Sequence, residues 1–217
     1  MNRLFNLDSP VMVILSRVAD LVILNLAWLV FCLPVVTIGA STTALYRVTL
    51  NMADDRGSSV LRDFWEAFRS NFKKSTLLFL ILLVPLAAVV LDLWILLGGA
   101  LPASVFSSVL CILPAVVFVF AASYVYPLSA QFENTLVGTL KNAFFMSFAH
   151  LPVTLAVSVL NLLPVILFFF WPTGFWYSLI VWFLLGGALV AYTNTLLLRK
   201  VFRKYFPKEG SSAEPEE

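Results

Sequence analysis

Few residue types in this chain could carry chemistry, and those that could sit in apolar surroundings. Thr37, Ser41 and Thr43 follow Pro34 within one short stretch, and Arg47 comes four residues after Thr43. A helix interrupted inside a membrane exposes backbone carbonyl and amide groups, which transporters use to hold ligands. Hydroxyls and a guanidinium beside such a break would add donors to a ligand site or solute path. The alternative is a turn followed by a face of small residues that lets helices approach closely. His150 is the only histidine. Counted from Lys141 it lies about nine residues, or roughly 14 Å, into a helix. An ionisable group at that depth is a candidate for a proton or solute path, and a neutral histidine bonded to a neighbouring helix is the structural alternative. Thr37, Ser41, Thr43, Arg47 and His150 are therefore the candidate ligand or pathway residues, with Asn161 and Asn194 as further polar groups on such a path.

Other chemistries lack their residues. Gly98-Gly99 and Gly186-Gly187 have no following lysine and no strand-turn-helix context, so they are not phosphate-binding loops. Gly186-Gly187-Ala188 reads as a close helix contact. One histidine and two separated cysteines, Cys32 and Cys111, make neither an ordinary metal site nor an evident disulfide. Asp92 lies about 18 residues, or roughly 27 Å, beyond Lys74, too far along the membrane normal from His150 for a direct relay. No acid–base pair converges. The expectation is a protein that is not an enzyme and needs no cofactor or metal.

The elements that must position these residues are membrane helices. The 217 residues are 61% hydrophobic and 12% charged, against about 25% charged in an ordinary soluble domain. From Asn142 to Leu198 there is no Asp, Glu, Lys or Arg. That stretch is about twice what a roughly 30 Å hydrocarbon core needs, and Trp171-Pro172-Thr173-Gly174 near its middle can turn the chain. Hydropathy places spans at about 10–33, 75–97, 104–126, 143–170 and 175–198, with a candidate short span at 40–53. Asp8 or Ser9 and Pro10 form a helix start. Gly39 reads as part of a turn, as does the charge-free Gly98 to Pro102. The chain from 1 to 206 is one helical membrane domain, and 207–217 an acidic disordered tail.

Residues 60–73 read as an amphipathic helix. Leu61, Phe64, Trp65, Phe68 and Phe72 recur at spacings of three and four, with Arg62, Asp63, Glu66, Arg69 and Lys73 on the rest. This helix lies in the interface plane, packs against the protein's own spans, or does both. Phe64, Trp65, Phe68, Arg69 and Phe72 are its candidate partner-docking residues. A second amphipathic connection follows over 127–141. Residues 60–126 and 132–198 then share one hydropathy pattern of amphipathic helix, span, turn and span.

Eleven of the fourteen basic residues fall between Arg47 and Lys74 or from Arg199 onward. The positive-inside rule makes that loop and the C-terminus cytoplasmic. If 40–53 lies at the surface, the N-terminus is outside. If 40–53 returns through the membrane, both ends are inside, which the charge rule prefers. Basic residues beside spans suit lipid headgroups and not nucleic acid.

Three stretches carry a family resemblance: Asn6-Leu7-Asp8-Ser9-Pro10, Leu33 to Ala40 (LPVVTIGA) and Phe64 to Lys73 (FWEAFRSNFK). With them the chain resembles the YesL-like family of bacterial integral membrane proteins, whose function is unknown. The resemblance covers essentially the whole chain and is strongest in its first 85 residues. It implies a membrane location and an accessory role in bacterial carbohydrate uptake or utilisation. No catalytic residues come with it. The expected protein is an all-α, polytopic component of the plasma membrane, with five spans, a candidate sixth and one or two interfacial helices. Its expected partners are the lipid bilayer, membrane subunits of a sugar transporter and further copies of itself. The competing expectation is an oligomeric small-solute transporter or channel.

Overall fold

The fold was described from a computed structural model, and the description covers residues 10–56, 59–98 and 105–205. The helix start at Asp8-Ser9, most of the turn after Gly98 and the acidic tail 207–217 lie outside these residues. Among the described residues all regular structure is helical: α1 (Pro10–Cys32), α2 (Ile38–Ala53), α3 (Val60–Leu97), α4 (Val105–Gln131), α5 (Leu136–Ala149), α6 (Leu151–Phe170), α7 (Pro172–Val181) and α8 (Gly187–Tyr205). Five stretches are long and apolar enough to cross a membrane: 11–32, 60–96, 108–131, 151–170 and 172–205. Leucine and valine side chains stay exposed along all of them, as lipid-facing helices require. The protein is a polytopic helical membrane protein.

The bundle is built around α2. Eleven of its sixteen residues are buried, and α1, α3, α4 and α8 pack against it. At 1.5 Å per residue it is only about 24 Å long, less than a full crossing. It nevertheless returns the chain to where α1 began. Arg17 near the start of α1 donates to the Met52 carbonyl at 3.0 Å and pairs with Asp55 at 2.8 Å. Arg203 at the end of α8 reaches Asp54 at 3.5 Å. The start of α1, the end of α2 and the end of α8 thus share one end of the bundle, called here the basic end.

Gly39 is not in a turn. It lies in the first turn of α2, where a Cβ would press on the Ser75 carbonyl oxygen and sit 2.7 Å from the Phe79 Cβ. The missing side chain lets the α2 backbone close on the α3 backbone at Ser75 and on the Phe79 side chain, the membrane use of small residues. The chain reverses instead at Pro34 and the 3-10 turn Val35–Thr37.

Boundaries differ from the sequence expectation: α4 continues through Pro127 to Gln131, into the expected connection 127–141, and two further differences matter more. The amphipathic stretch 60–73 and the span 75–97 form one 38-residue helix, α3. Nothing between Lys73 and Leu77 breaks a helix, so a change in polarity marks a change of environment without a change of structure. Conversely, the expected span 143–170 is divided at His150, whose φ of −127° and ψ of 51° end α5 and begin α6. Pro152 supplies the reason: it has no N–H for the Phe148 carbonyl four residues back and its ring crowds that turn, so a helix cannot run through it, whereas the first turn of α6 accepts it. Helix α5 opens with the Thr135 hydroxyl accepting from the Gly138 amide at 3.1 Å. It buries Thr139, Ala143, Met146 and Ser147 and leaves Phe144, Phe145 and Phe148 exposed. It is a short, largely apolar helix with both termini at the basic end, and the crossing itself is 151–170. The two expected repeats therefore share their hydropathy but not their breaks.

Candidate functional site

The residues expected to line a path are mostly consumed by the fold. Thr37 donates to the Phe31 and Pro34 carbonyls at 2.6 and 2.7 Å, which ties the end of α1 to the turn. Ser41 donates to the Trp28 carbonyl at 2.9 Å, and Thr43 bonds back to Gly39 within α2 at 3.0 Å. Ser41 thus fastens α2 to α1, Thr37 holds the turn between them, and Thr43 serves α2 alone, so the three hydroxyls have separate partners. Back-bonding to a carbonyl four residues earlier is the ordinary local use of a helical threonine. His150 is not deep in a span. Its Nε2 lies 3.0 Å from the Tyr205 hydroxyl at the end of α8, so it belongs to the basic end. It shares no site with Thr37, Ser41 or Thr43.

Arg47 does border an opening. Its guanidinium donates to the Ala130 carbonyl at 3.0 Å, and Lys74 reaches the Phe132 carbonyl at 3.4 Å. Arg47 thus serves one of the last carbonyls of α4, which helix geometry leaves without an intrahelical donor, and Lys74 the carbonyl just past its end. Between α2, the first half of α3 and residues 129–135 lies a cleft of about 730 Å³. One wall is a stripe of α3 at helical spacing: Asp63, Glu66, Ser70 and Lys74. The opposite wall carries Ser129, Gln131, Glu133 and Asn134. Ser129 is only 3% exposed, and its hydroxyl has no hydrogen-bond partner. With cations, carboxylates, amides and hydroxyls all present, the cleft suits a polar ligand and not an apolar one.

Away from the cleft, a buried polar chain crosses the bundle. Asn194 on α8 donates to Asn161 on α6 at 2.7 Å and to the Tyr46 hydroxyl on α2 at 3.2 Å. Asn161 in turn donates to Ser123 on α4 at 3.2 Å. Four helices are joined at one level, and the Asn194 carbonyl oxygen is left buried without a partner. Asn161 and Asn194 thus meet each other, but neither meets His150 or the Thr37 to Thr43 set.

Asn25 stands in the apolar run of α1. It is fully buried and grips the one π-helical turn among the described residues, Trp182–Gly186. Its amide donates to the Phe183 carbonyl at 2.6 Å and the Trp182 carbonyl at 3.4 Å, and its oxygen accepts from the Ala188 amide at 2.9 Å. A π turn misplaces backbone groups relative to the α ladder, and Asn25 supplies partners for them. Gly187 lies against Trp28, so the expected close contact at Gly186-Gly187 exists. An asparagine in an apolar run is the signal that could have found this site.

The expected docking residues divide between two faces. Phe64 is 1% exposed and Phe68 is buried, both packed at a tilt against Phe31 with ring centroids 5.5 and 4.9 Å from it. Trp65 is 52% exposed, and Leu61, Arg69 and Phe72 also face outward. Trp65, Arg69, Phe72 and Lys73 border a shallow groove of about 290 Å³. The helix therefore does pack on the protein's own spans, and a strip of its aromatic residues remains outside.

No curated protein and no solved structure matches this chain. Residues 21–93, about a third of the chain, match the family described as "Protein of unknown function, DUF624", the YesL-like family; the match takes in the motifs at 33–40 and 64–73 and not the one at 6–10.

Proposed function

We propose that this protein is a non-enzymatic accessory component of bacterial carbohydrate uptake or utilisation, working through contact with a membrane subunit of a sugar transporter. The carbohydrate assignment draws on the family resemblance. The mode of action draws on one observation: Trp65 and its outward neighbours on α3 stand exposed beside Arg69 and Lys73, whereas the hydroxyls expected to line a path are spent inside the fold. Exposed tryptophan and arginine are the residue types that dominate binding hot spots. In this reading the basic end is cytoplasmic, and the strip of α3 meets the partner where the membrane gives way to water.

The experiment is affinity recovery from native bacterial membranes with a C-terminal tag. Transporter subunits should co-purify with the parent protein, and the double variant Trp65→Ala/Arg69→Glu should lose them while remaining in the membrane. Equal recovery by the variant would remove the α3 strip from the account.

A solute transporter or channel is the second reading. The polar cleft, with Arg47 at its wall and the unpartnered Ser129 hydroxyl, supports it. Flux in proteoliposomes that is lost on Arg47→Gln and Ser129→Ala would favour it.

A further inference from the structure

The ends of α2, α4 and α8 meet around a second cavity at the basic end, of about 210 Å³. Arg56, Arg199 and Arg203 line it, together with Asp54 and Gln131. Arg56 and Arg203 both pair with Asp54. Arg199 donates to the Ala53 carbonyl at the end of α2. Three guanidiniums thus face one carboxylate. The carbonyl ends of α2 and α4, which would repel an anion, are already answered by Arg199, Arg47 and Lys74.

The arginine side chains are preorganised differently. Arg56 and Arg203 are 57% and 59% exposed, so their pairs with Asp54 are weak and exchangeable. Arg199 is half-buried and held by its carbonyl, with most of its five N–H donors left over. The planar fork of a guanidinium matches phosphate oxygens two at a time. The cavity is lined from the polar ends of α2, α4 and α8, where a membrane helix passes from hydrocarbon to headgroups.

We propose that this cavity binds a phosphate group, supplied by the headgroup of an anionic glycerophospholipid. Arg199 is the inner anchor, and Arg56 and Arg203 close over the phosphate as they leave Asp54. The proposal rests on the membrane location alone and not on the docking function.

The test is native mass spectrometry of the full-length protein in detergent, titrated with phosphatidylglycerol and, separately, phosphatidylcholine. The parent should hold phosphatidylglycerol at least tenfold more tightly than phosphatidylcholine. Arg56→Gln/Arg203→Gln should lose at least tenfold in phosphatidylglycerol affinity, and Lys200→Gln/Lys204→Gln, which removes the same charge outside the cavity, should change it less than twofold. A lipid-free melting temperature equal to the parent's checks that the first variant folds. Equal loss in both variants, or equal binding of the two lipids, overturns the site. Excess glycerol 3-phosphate separates the sources: failure to displace the lipid supports the headgroup assignment, and full displacement overturns it in favour of a soluble phosphate in the same cavity.

Discussion

Replacing Asn25 by leucine tests how the π turn is held. The substitution keeps the branched shape and the number of side-chain heavy atoms and removes the amide's donors and acceptor. In the parent the amide serves Phe183 O at 2.6 Å, and the oxygen serves Ala188 N at 2.9 Å. The 3.4 Å approach to Trp182 O is long and counts for little. In a water-surrounded core each orphaned group would cost about 1–3 kcal/mol, or roughly 2–6 kcal/mol for two. Inside a bilayer measured interhelical hydrogen bonds average only about 0.6 kcal/mol and reach about 1.7. Two good bonds from one fully buried residue then contribute about 1–3 kcal/mol. The assay is reversible unfolding in mixed micelles, read by tryptophan fluorescence, with hydrogen exchange at the Ala188 amide as the local probe. Asn25→Leu should lower stability by that amount and release the Ala188 amide to exchange. Stability within about 0.3 kcal/mol of the parent, with Ala188 still protected, would refute the claim that Asn25 holds the turn.

Other outcomes follow from the same contacts. Gly39→Val should destabilise by at least about 1–3 kcal/mol, the usual cost of overfilling a tight contact, because Ser75 backbone and Phe79 block the new side chain; unfolding titrations measure it. Phe64→Ala should destabilise the fold several times more than Trp65→Ala, since Phe64 is enclosed and Trp65 is half out; the same titrations compare them, and equal losses would place Trp65 in the core. His150→Ala should leave both stability and any proteoliposome flux nearly unchanged, because the His150–Tyr205 contact is exposed at the basic end; loss of flux would return His150 to a path.

Much of this architecture is legible in the residues. Hydropathy places the long helices because lipid imposes one composition on every crossing, whatever the partners. The charge asymmetry anticipates that the start of α1 and the end of α8 share one end, and Arg17, Asp54, Asp55 and Arg203 meet there. The continuity of α3 was not legible from polarity, because a helix leaving an apolar environment changes its surface and not its backbone. The break at His150 was hidden by a charge-free run, although Pro152 marks it. The roles of Thr37, Ser41 and Thr43 turn on which carbonyl lies within reach, and sequence spacing does not give that for partners on another helix. Arg47 illustrates the same point, since its acceptor is 83 residues away at the end of α4.

Site-specific photo-crosslinking in native bacterial membranes tests the central claim most directly. A photoreactive residue at position 65 should capture a distinct membrane partner, and the same residue at position 64, one place along and facing the core, should not. Capture of lipid alone at position 65, or the same products from both positions, would contradict the account.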